Sequence, residues 1–248
     1  MLAIALIVIG LGAIAAGLGL RVFFTDDEGH HDGRDATFAL ASALGVDELA
    51  VHQSGSDSSI SVAIERAGQP ITEFDEVHGS EMHVFVVRED LSWFLHADPE
   101  MLPDGSSTAV EVIAGGSVRV VTESAPKGGP DLLELGTDVA VDGDVVPSEQ
   151  YITTDDVWTD GDLSIRREGF DFVLSESWSG EDYHGGPALL TMFRAEDLAF
   201  IHGHATTPEQ DRFRFSLDLP GRGDYLAALQ FNQGNTGDPV TAFFRFQL

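Results

Sequence analysis

One order of residue types, repeated about a hundred residues apart, constrains the fold of this chain more than any other feature. Arginine, Asp-Leu, an aromatic residue and histidine occur in that order in "REDLSWFLHAD" (Arg88–Asp98) and again in "RAEDLAFIHGH" (Arg194–His204). The first and last residues of the two segments are each 106 positions apart. Because a repeat at fixed spacing indicates a duplicated structural unit, we expect two similar units in tandem.

Both units consist of short apolar or alternating runs separated by turn residues. The clearest run, "RFRFSLDL" (Arg212–Leu219), places Phe213, Phe215 and Leu217 on one face of a strand and polar residues on the other. No amphipathic helix of convincing length appears in either unit. The pattern predicts an all-β fold of two tandem immunoglobulin-like β-sandwich domains, each with about seven short strands.

The N-terminus has a different character. Residues 2–20, "LAIALIVIGLGAIAAGLGL", carry no charge, and as a helix they would span about 28 Å, close to the thickness of a bilayer core. We expect residues 1–24 to be a transmembrane anchor or an uncleaved signal, and residues 25–45 to be an acidic tether. The two sandwiches then occupy residues 46–147 and 148–248. This organisation predicts a single-pass protein of the cell membrane with the bulk of the chain extracytoplasmic.

Charge and cysteine content limit the partners. The chain has 13 basic and 42 acidic residues, for a net charge of −29, and no cysteine. Such a surface repels phosphate backbones and anionic lipid headgroups, so no nucleic-acid partner is expected. The absence of cysteine excludes disulfides, thiolate metal sites and cysteine nucleophiles. The expected partners are the membrane, through the N-terminal helix, and a metal ion or an envelope protein.

Two histidines and an aspartate of the first unit are expected to lie on one sheet face. If Met82–Arg88 and Ser92–Asp98 are antiparallel strands, paired residue numbers sum to about 181, and His83 lies opposite Asp98. His96 lies two residues before Asp98 and therefore shares its face. The three side chains would then converge, with cross-strand Cβ atoms about 5 Å apart.

This convergence predicts a transition-metal site. Two imidazoles and a carboxylate, with water completing the shell, suit Zn²⁺ or Cu²⁺. His78, from the preceding loop, is the candidate fourth ligand. The same construction in the second unit places His202 and His204 on one face, but the position opposite is Leu189. The second site is therefore expected to bind weakly. The alternative is that these histidines only brace loops through hydrogen bonds.

At these residues the chain resembles a family of membrane-anchored or secreted tandem-domain proteins common in actinobacteria. The resemblance is carried by "ITEFDEVHGSEMHVFVVREDLSWFLHADPEMLPDG" (Ile71–Gly105) and by the closing strand pair "PGRGDYLAALQFNQGNTGDPVTAFFRF" (Pro220–Phe246). It implies an exported, anchored protein of two sandwiches that handles metal. The positions matching the family's histidines are His78, His83, His96, His202 and His204.

The chain departs from the family pattern at three positions. Asp98 replaces the second histidine of the first His-x-His, and it can still ligate a metal. Leu189 replaces a strand histidine of the second unit, and a leucine side chain cannot ligate a metal. Ala205 replaces the proline that follows His204.

These observations predict a non-catalytic, membrane-anchored protein of the cell envelope that binds copper or zinc through His/Asp clusters. The alternative is an immunoglobulin-like structural or protein-interaction module whose histidines are structural. An enzyme is not expected, because the sequence contains no GxSxG, HExxH or P-loop motif.

Overall fold

The computed structural model describes residues 21–24, 47–54, 59–112, 115–142, 144–145, 147–148, 150–209, 211–234 and 239–248. Residues 1–20 and the tether at 25–45 lie outside these ranges, so the expected membrane helix is not among the described residues. Within them, no helix is long and apolar enough to cross a bilayer. Arg21–Phe24, which the sequence assigned to the end of the anchor, form a β-strand.

The regular elements that the structure describes are all β-strands, so the all-β prediction is confirmed. The first half of the chain contains β1 (Arg21–Phe24), β2 (Asp47–Ser54), β3 (Ser59–Arg66), β4 (Gln69–Pro70), β5 (Phe74–Asp75), β6 (Met82–Arg88), β7 (Phe94–Ala97), β8 (Val110–Glu111), β9 (Gly116–Pro126) and β10 (Leu133–Val141). The second half contains β11 (Ile152–Thr153), β12 (Val157–Asp160), β13 (Leu163–Glu168), β14 (Asp171–Leu174), β15 (Leu189–Arg194), β16 (Phe200–His204), β17 (Thr206–Glu209), β18 (Arg212–Arg214), β19 (Asp224–Phe231) and β20 (Val240–Gln247).

Within the described ranges the strands form four sheets, two in each half, which is consistent with β-sandwich packing. In the first half the order β1-β10-β9-β6-β7, with β5 added to β9, faces a sheet of β2-β3-β4, with β8 added to β3. In the second half the order β11-β20-β19-β15-β16 faces the order β12-β13-β14-β18-β17. We call the sheets that contain β6 and β15 the first and second inner sheets.

The two inner sheets are buried on both faces. Val84 and Val86 of β6 point into the core of the first half, whereas Phe85 and Val87 point the other way. This alternation follows from the period of two along a strand, and all seven residues of β6 are buried. A third apolar cluster joins Phe85 to residues of the second inner sheet, so the two inner sheets pack face to face.

Equivalent turns precede β6 and β15. His78 and Gly79 have φ values of 50° and 92°, and His184 and Gly185 have 46° and 85°. Positive φ at both central residues is the signature of a type I′ hairpin turn, for which glycine is favoured at the second position. The strand order β10-β9-β6-β7 also matches β20-β19-β15-β16, strand for strand.

One strand is shorter than the alternation indicated. The run Arg212–Leu219 is a strand only over Arg212–Arg214, which pair with β14, and one further backbone bond joins the Phe215 N–H to the Phe170 carbonyl. Phe213 and Phe215 are nevertheless buried in the second core, and Leu217 packs against it. The apolar pattern therefore predicted the buried face correctly but not the extent of pairing.

Candidate metal centre

The pairing of β6 with β7 positions the first group of polar side chains. Phe85 is the partner of His96, so the expected register is confirmed. One residue pair beyond the strand end, His83 Nδ1 lies 2.6 Å from Asp98 Oδ1. His83, His96 and Asp98 therefore meet on the face that is turned towards the second inner sheet.

A third imidazole, that of His184, comes from the second half of the chain. His184 Nε2 lies 3.3 Å from Asp98 Oδ2, and His96 Nε2 lies 3.5 Å from Asp98 Oδ1. One ligand atom from each of His83, His96, Asp98 and His184 lies within 4.8 Å of the others. We call these four residues the first cluster.

The outward nitrogens of the first cluster are held by acceptors. His83 Nε2 lies 2.8 Å from the Val77 carbonyl, and His96 Nδ1 lies 3.0 Å from Gln230 Oε1. The His184 ring is hydrogen-bonded to the backbone of His78. Each ring is thereby fixed in one orientation, with its other nitrogen directed at Asp98.

The inward nitrogen of His96 has no hydrogen-bond partner in the described part of the chain, although it is buried. The ring stacks on Phe85 with centroids 4.3 Å apart, so it cannot turn away easily. A buried polar atom without a partner costs about 1–3 kcal/mol. The 3.5 Å contact with Asp98 Oδ1 satisfies this nitrogen only weakly, and an ion placed between the two atoms would satisfy it better.

Burial and charge set the protonation of the cluster. Burial lowers the pKa of His83, but the hydrogen bonds to Asp98 and to the Val77 carbonyl outweigh it and leave the pKa above its ordinary value. Burial lowers the pKa of His184 to about 4, so this imidazole is neutral at pH 7. Burial raises the pKa of Asp98, but the bond from His83 and the nearby His96 ring hold that pKa well below its usual range.

His78 is not a member of the first cluster, contrary to the expectation from sequence. Its ring centroid lies 6.4 Å from that of His83 but only 4.3 Å from that of His204, and its Nε2 is 3.8 Å from Glu123 Oε1. The reason is the face-to-face packing of the inner sheets, in which each His-Gly turn reaches across to the opposite half. His184 therefore completes the cluster near His83, and His78 lies beside His204.

A second group surrounds His202, and we call Glu123, Glu134 and His202 the second cluster. His202 Nε2 lies 3.1 Å from Glu123 Oε2, and His202 Nδ1 lies 3.2 Å from Glu134 Oε1. Burial lowers the pKa of His202, but the two carboxylates outweigh it and raise the pKa to about 9.

His204 is near this second cluster rather than inside it. Its ring centroid is 5.7 Å from that of His202. Burial and the neighbouring histidines lower the pKa of His204 to about 3. Leu189 is the strand partner of His204, as the sequence indicated.

Sequence reasoning missed Glu123, Glu134 and the position of His184. With 42 acidic residues, a single carboxylate cannot be selected without the register of the central strands. That register pairs His83 with Glu123, and Glu123 in turn with Glu134. The alternating strand around Glu123 was visible in the sequence, but its neighbours across the sheet were not.

A profile of the family described as "Domain of unknown function (DUF8832)" matches residues 43–154. This part of the chain is therefore similar to that family, and it contains the first inner sheet apart from β1, with His83, His96, Asp98, Glu123 and Glu134. No curated protein matches the chain. The ligand candidates of the second half lie beyond the matched residues.

Proposed function

We propose that this chain is a metal-binding protein of the cell envelope and that its first cluster binds Zn²⁺ or Cu²⁺. Three imidazoles and one carboxylate are a donor set that both ions accept. A tetrahedral ion with bonds of about 2.0–2.1 Å needs its ligand atoms roughly 3.4 Å apart. The ligand atoms lie within 4.8 Å of one another, so small side-chain shifts suffice: His83 and Asp98, 2.6 Å apart, would separate, and the more distant pairs would approach.

The observation that carries the proposal is the orientation of the three rings. Each directs one nitrogen at Asp98 and has the other held by a protein acceptor. Metal-ligating histidines have this arrangement, because the outer hydrogen bond fixes the tautomer and makes the ligating nitrogen more basic. The unpartnered Nε2 of His96 is the atom that gains most from an ion.

The chemistry of the donor set favours a binding role over catalysis. Four protein ligands complete a tetrahedral shell, as in structural zinc sites, whereas catalytic sites keep one position open for water or substrate. An open cavity of about 550 Å³ lies beside this part of the chain, and Asp98 is the one member of the cluster that lines it. We therefore propose a buffer, sensor or structural site for the metal, without enzymatic activity.

The wider organisation is part of the same proposal. Two immunoglobulin-like sandwiches, related by duplication, would follow an N-terminal membrane anchor and lie outside the cytoplasm. The matching strand order and the paired His-Gly turns support the duplication. Because His184 comes from the second half, a bound ion would also fasten the two halves together.

The second candidate is an interaction module whose histidines only brace the interface. It is favoured by His83, both of whose ring nitrogens have protein partners without any ion. The two candidates differ in whether metal enters the cluster at stoichiometric concentration.

X-ray absorption spectroscopy of the zinc-loaded, full-length chain tests the proposal. We expect three nitrogen ligands with imidazole scattering and one oxygen ligand, at about 2.0–2.1 Å. His184→Ala should lose one imidazole, whereas His52→Ala, an exposed histidine outside both clusters, should not. A shell of water oxygens without imidazole scattering would favour the interaction module.

A further inference from the structure

We propose that Glu123, Glu134 and His202 form a second metal site, for a harder divalent cation such as Mn²⁺, directly beside the first cluster. The proposal does not depend on occupation of the first cluster, because the two sets share no residue. One ligand atom from each of the three residues lies within 4.8 Å of the others.

Burial makes these carboxylates unlike the many on the surface. The side chains of Glu123, Glu134 and His202 are 2%, 9% and 9% exposed. Two carboxylates without water around them carry a desolvation cost that one imidazole does not offset. A divalent cation balances their combined charge of −2 once the proton that His202 shares with the two carboxylates has left.

Unpartnered polar atoms beside the cluster point independently to a ligand. Thr191 is 1% exposed, and its hydroxyl has no hydrogen-bond partner within the described ranges. It is the strand partner of His202, and directly paired residues project from the same face of a sheet. The buried Nε2 of His204, two residues along the strand from His202, is likewise unpartnered there.

The donor set distinguishes this site from the first. Two carboxylates and one imidazole supply mostly hard oxygen ligands, whereas the first cluster supplies three imidazoles. The second cluster should therefore favour Mn²⁺ over Cu²⁺ more than the first cluster does. Thr191, the strand partner of His202, and His204, two residues along the same strand, are the candidates for additional ligands.

The two sites would be neighbours. Glu123 and His83 are partners on adjacent strands, which places their Cβ atoms about 5 Å apart. His78 lies between them, 3.8 Å from Glu123 Oε1 and with its ring centroid 6.4 Å from that of His83. The interface between the inner sheets would then hold a two-metal centre.

Manganese binding by the full-length chain tests the inference. Free Mn²⁺ is counted by its electron paramagnetic resonance signal during a titration with MnCl₂ at pH 7.5. We expect one equivalent bound by the wild-type chain and a loss of affinity of at least 100-fold in Glu123→Gln/Glu134→Gln. Glu73→Gln, which removes an exposed carboxylate, is the control.

The variant His83→Ala/His96→Ala separates the two sites. This variant should still bind one equivalent of Mn²⁺. It should no longer bind Zn²⁺ or Cu²⁺ if the first cluster is a metal site. Anomalous scattering from manganese-soaked wild-type crystals covers the case in which the glutamine variant does not fold. A peak between Glu123 and Glu134 supports the inference, and its absence, or equal manganese binding by wild type and a folded glutamine variant, overturns it.

Discussion

At the scale of single residues, the histidines of the interface differ in protonation although they lie close together. His202 is flanked by two carboxylates that raise its pKa to about 9, whereas burial lowers the pKa of His184 to about 4 and that of His204 to about 3. These opposite shifts make the stability of the metal-free chain depend on pH in both directions.

Histidines with a raised pKa and histidines with a lowered pKa change the folding stability on opposite sides of the ordinary histidine pKa of about 6.5. His202 gives stability that is fully present below pH 6.5 and is lost as the pH rises towards about 9, because the folded state holds a proton that the unfolded state releases. His184 and His204 act oppositely: stability falls as the pH drops from 6.5 towards about 4, since the unfolded state binds the protons.

We therefore expect the urea midpoint of the metal-free chain to be highest near pH 6.5 and lower at both pH 4.5 and pH 9. Urea titrations with a chelator present measure it. The alkaline decline should be smaller in His202→Gln, which removes one of the two interface histidines with a raised pKa and leaves the contribution of His83. An alkaline decline of the same size in that variant would contradict the assignment to His202.

At the scale of elements, the register of β6 with β7 could be predicted because a short turn joins two strands with clear alternation. The central partner, β9, begins 19 residues after the end of β7, and nothing local determines which of its residues face His83. For the same reason the sequence could not show that His184 crosses to the first cluster, since that contact depends on packing between sheets. The paired His-Gly turns are the elements that make this crossing.

Substituting the glycine of each turn should separate backbone strain from packing. Gly79 and Gly185 both have positive φ, so alanine at either position is strained by about 1–2 kcal/mol. A Cβ added at Gly79 would lie in open space, whereas a Cβ added at Gly185 would overlap the His78 ring. We expect Gly185→Ala to destabilise the chain by about 1 kcal/mol more than Gly79→Ala, because His78 must move.

Chemical denaturation of the two variants measures the difference, and the NMR signals of the His78 ring report its movement. Equal unfolding free energies with an unmoved ring would contradict the packing described for Gly185.

At the scale of the whole molecule, both clusters lie in the interface between the two halves. The apolar part of that interface joins residues such as Phe85, Phe94, Phe193 and Phe200. The first cluster adds polar contacts from both halves, because His184 meets Asp98. An ion bound there would oppose separation of the halves as well as local unfolding.

Zinc should therefore raise the unfolding temperature. At a free concentration 100 times the dissociation constant, binding to the folded state contributes about 2.7 kcal/mol, which corresponds to roughly 5–10 °C for a chain of this size. In differential scanning calorimetry, His184→Ala should lose most of the increase, and His52→Ala should keep it. An unchanged increase in His184→Ala would show that the second half contributes no ligand.

Calorimetric titration of the full-length chain with Zn²⁺ at pH 7.5 determines whether the first cluster is a metal site. We expect a stoichiometric step of micromolar or tighter affinity that is absent in His83→Ala/His96→Ala and preserved in His52→Ala. Heat equal to that of buffer, or an identical step in the double variant, would contradict the claim and leave His83 and His96 as braces of the interface.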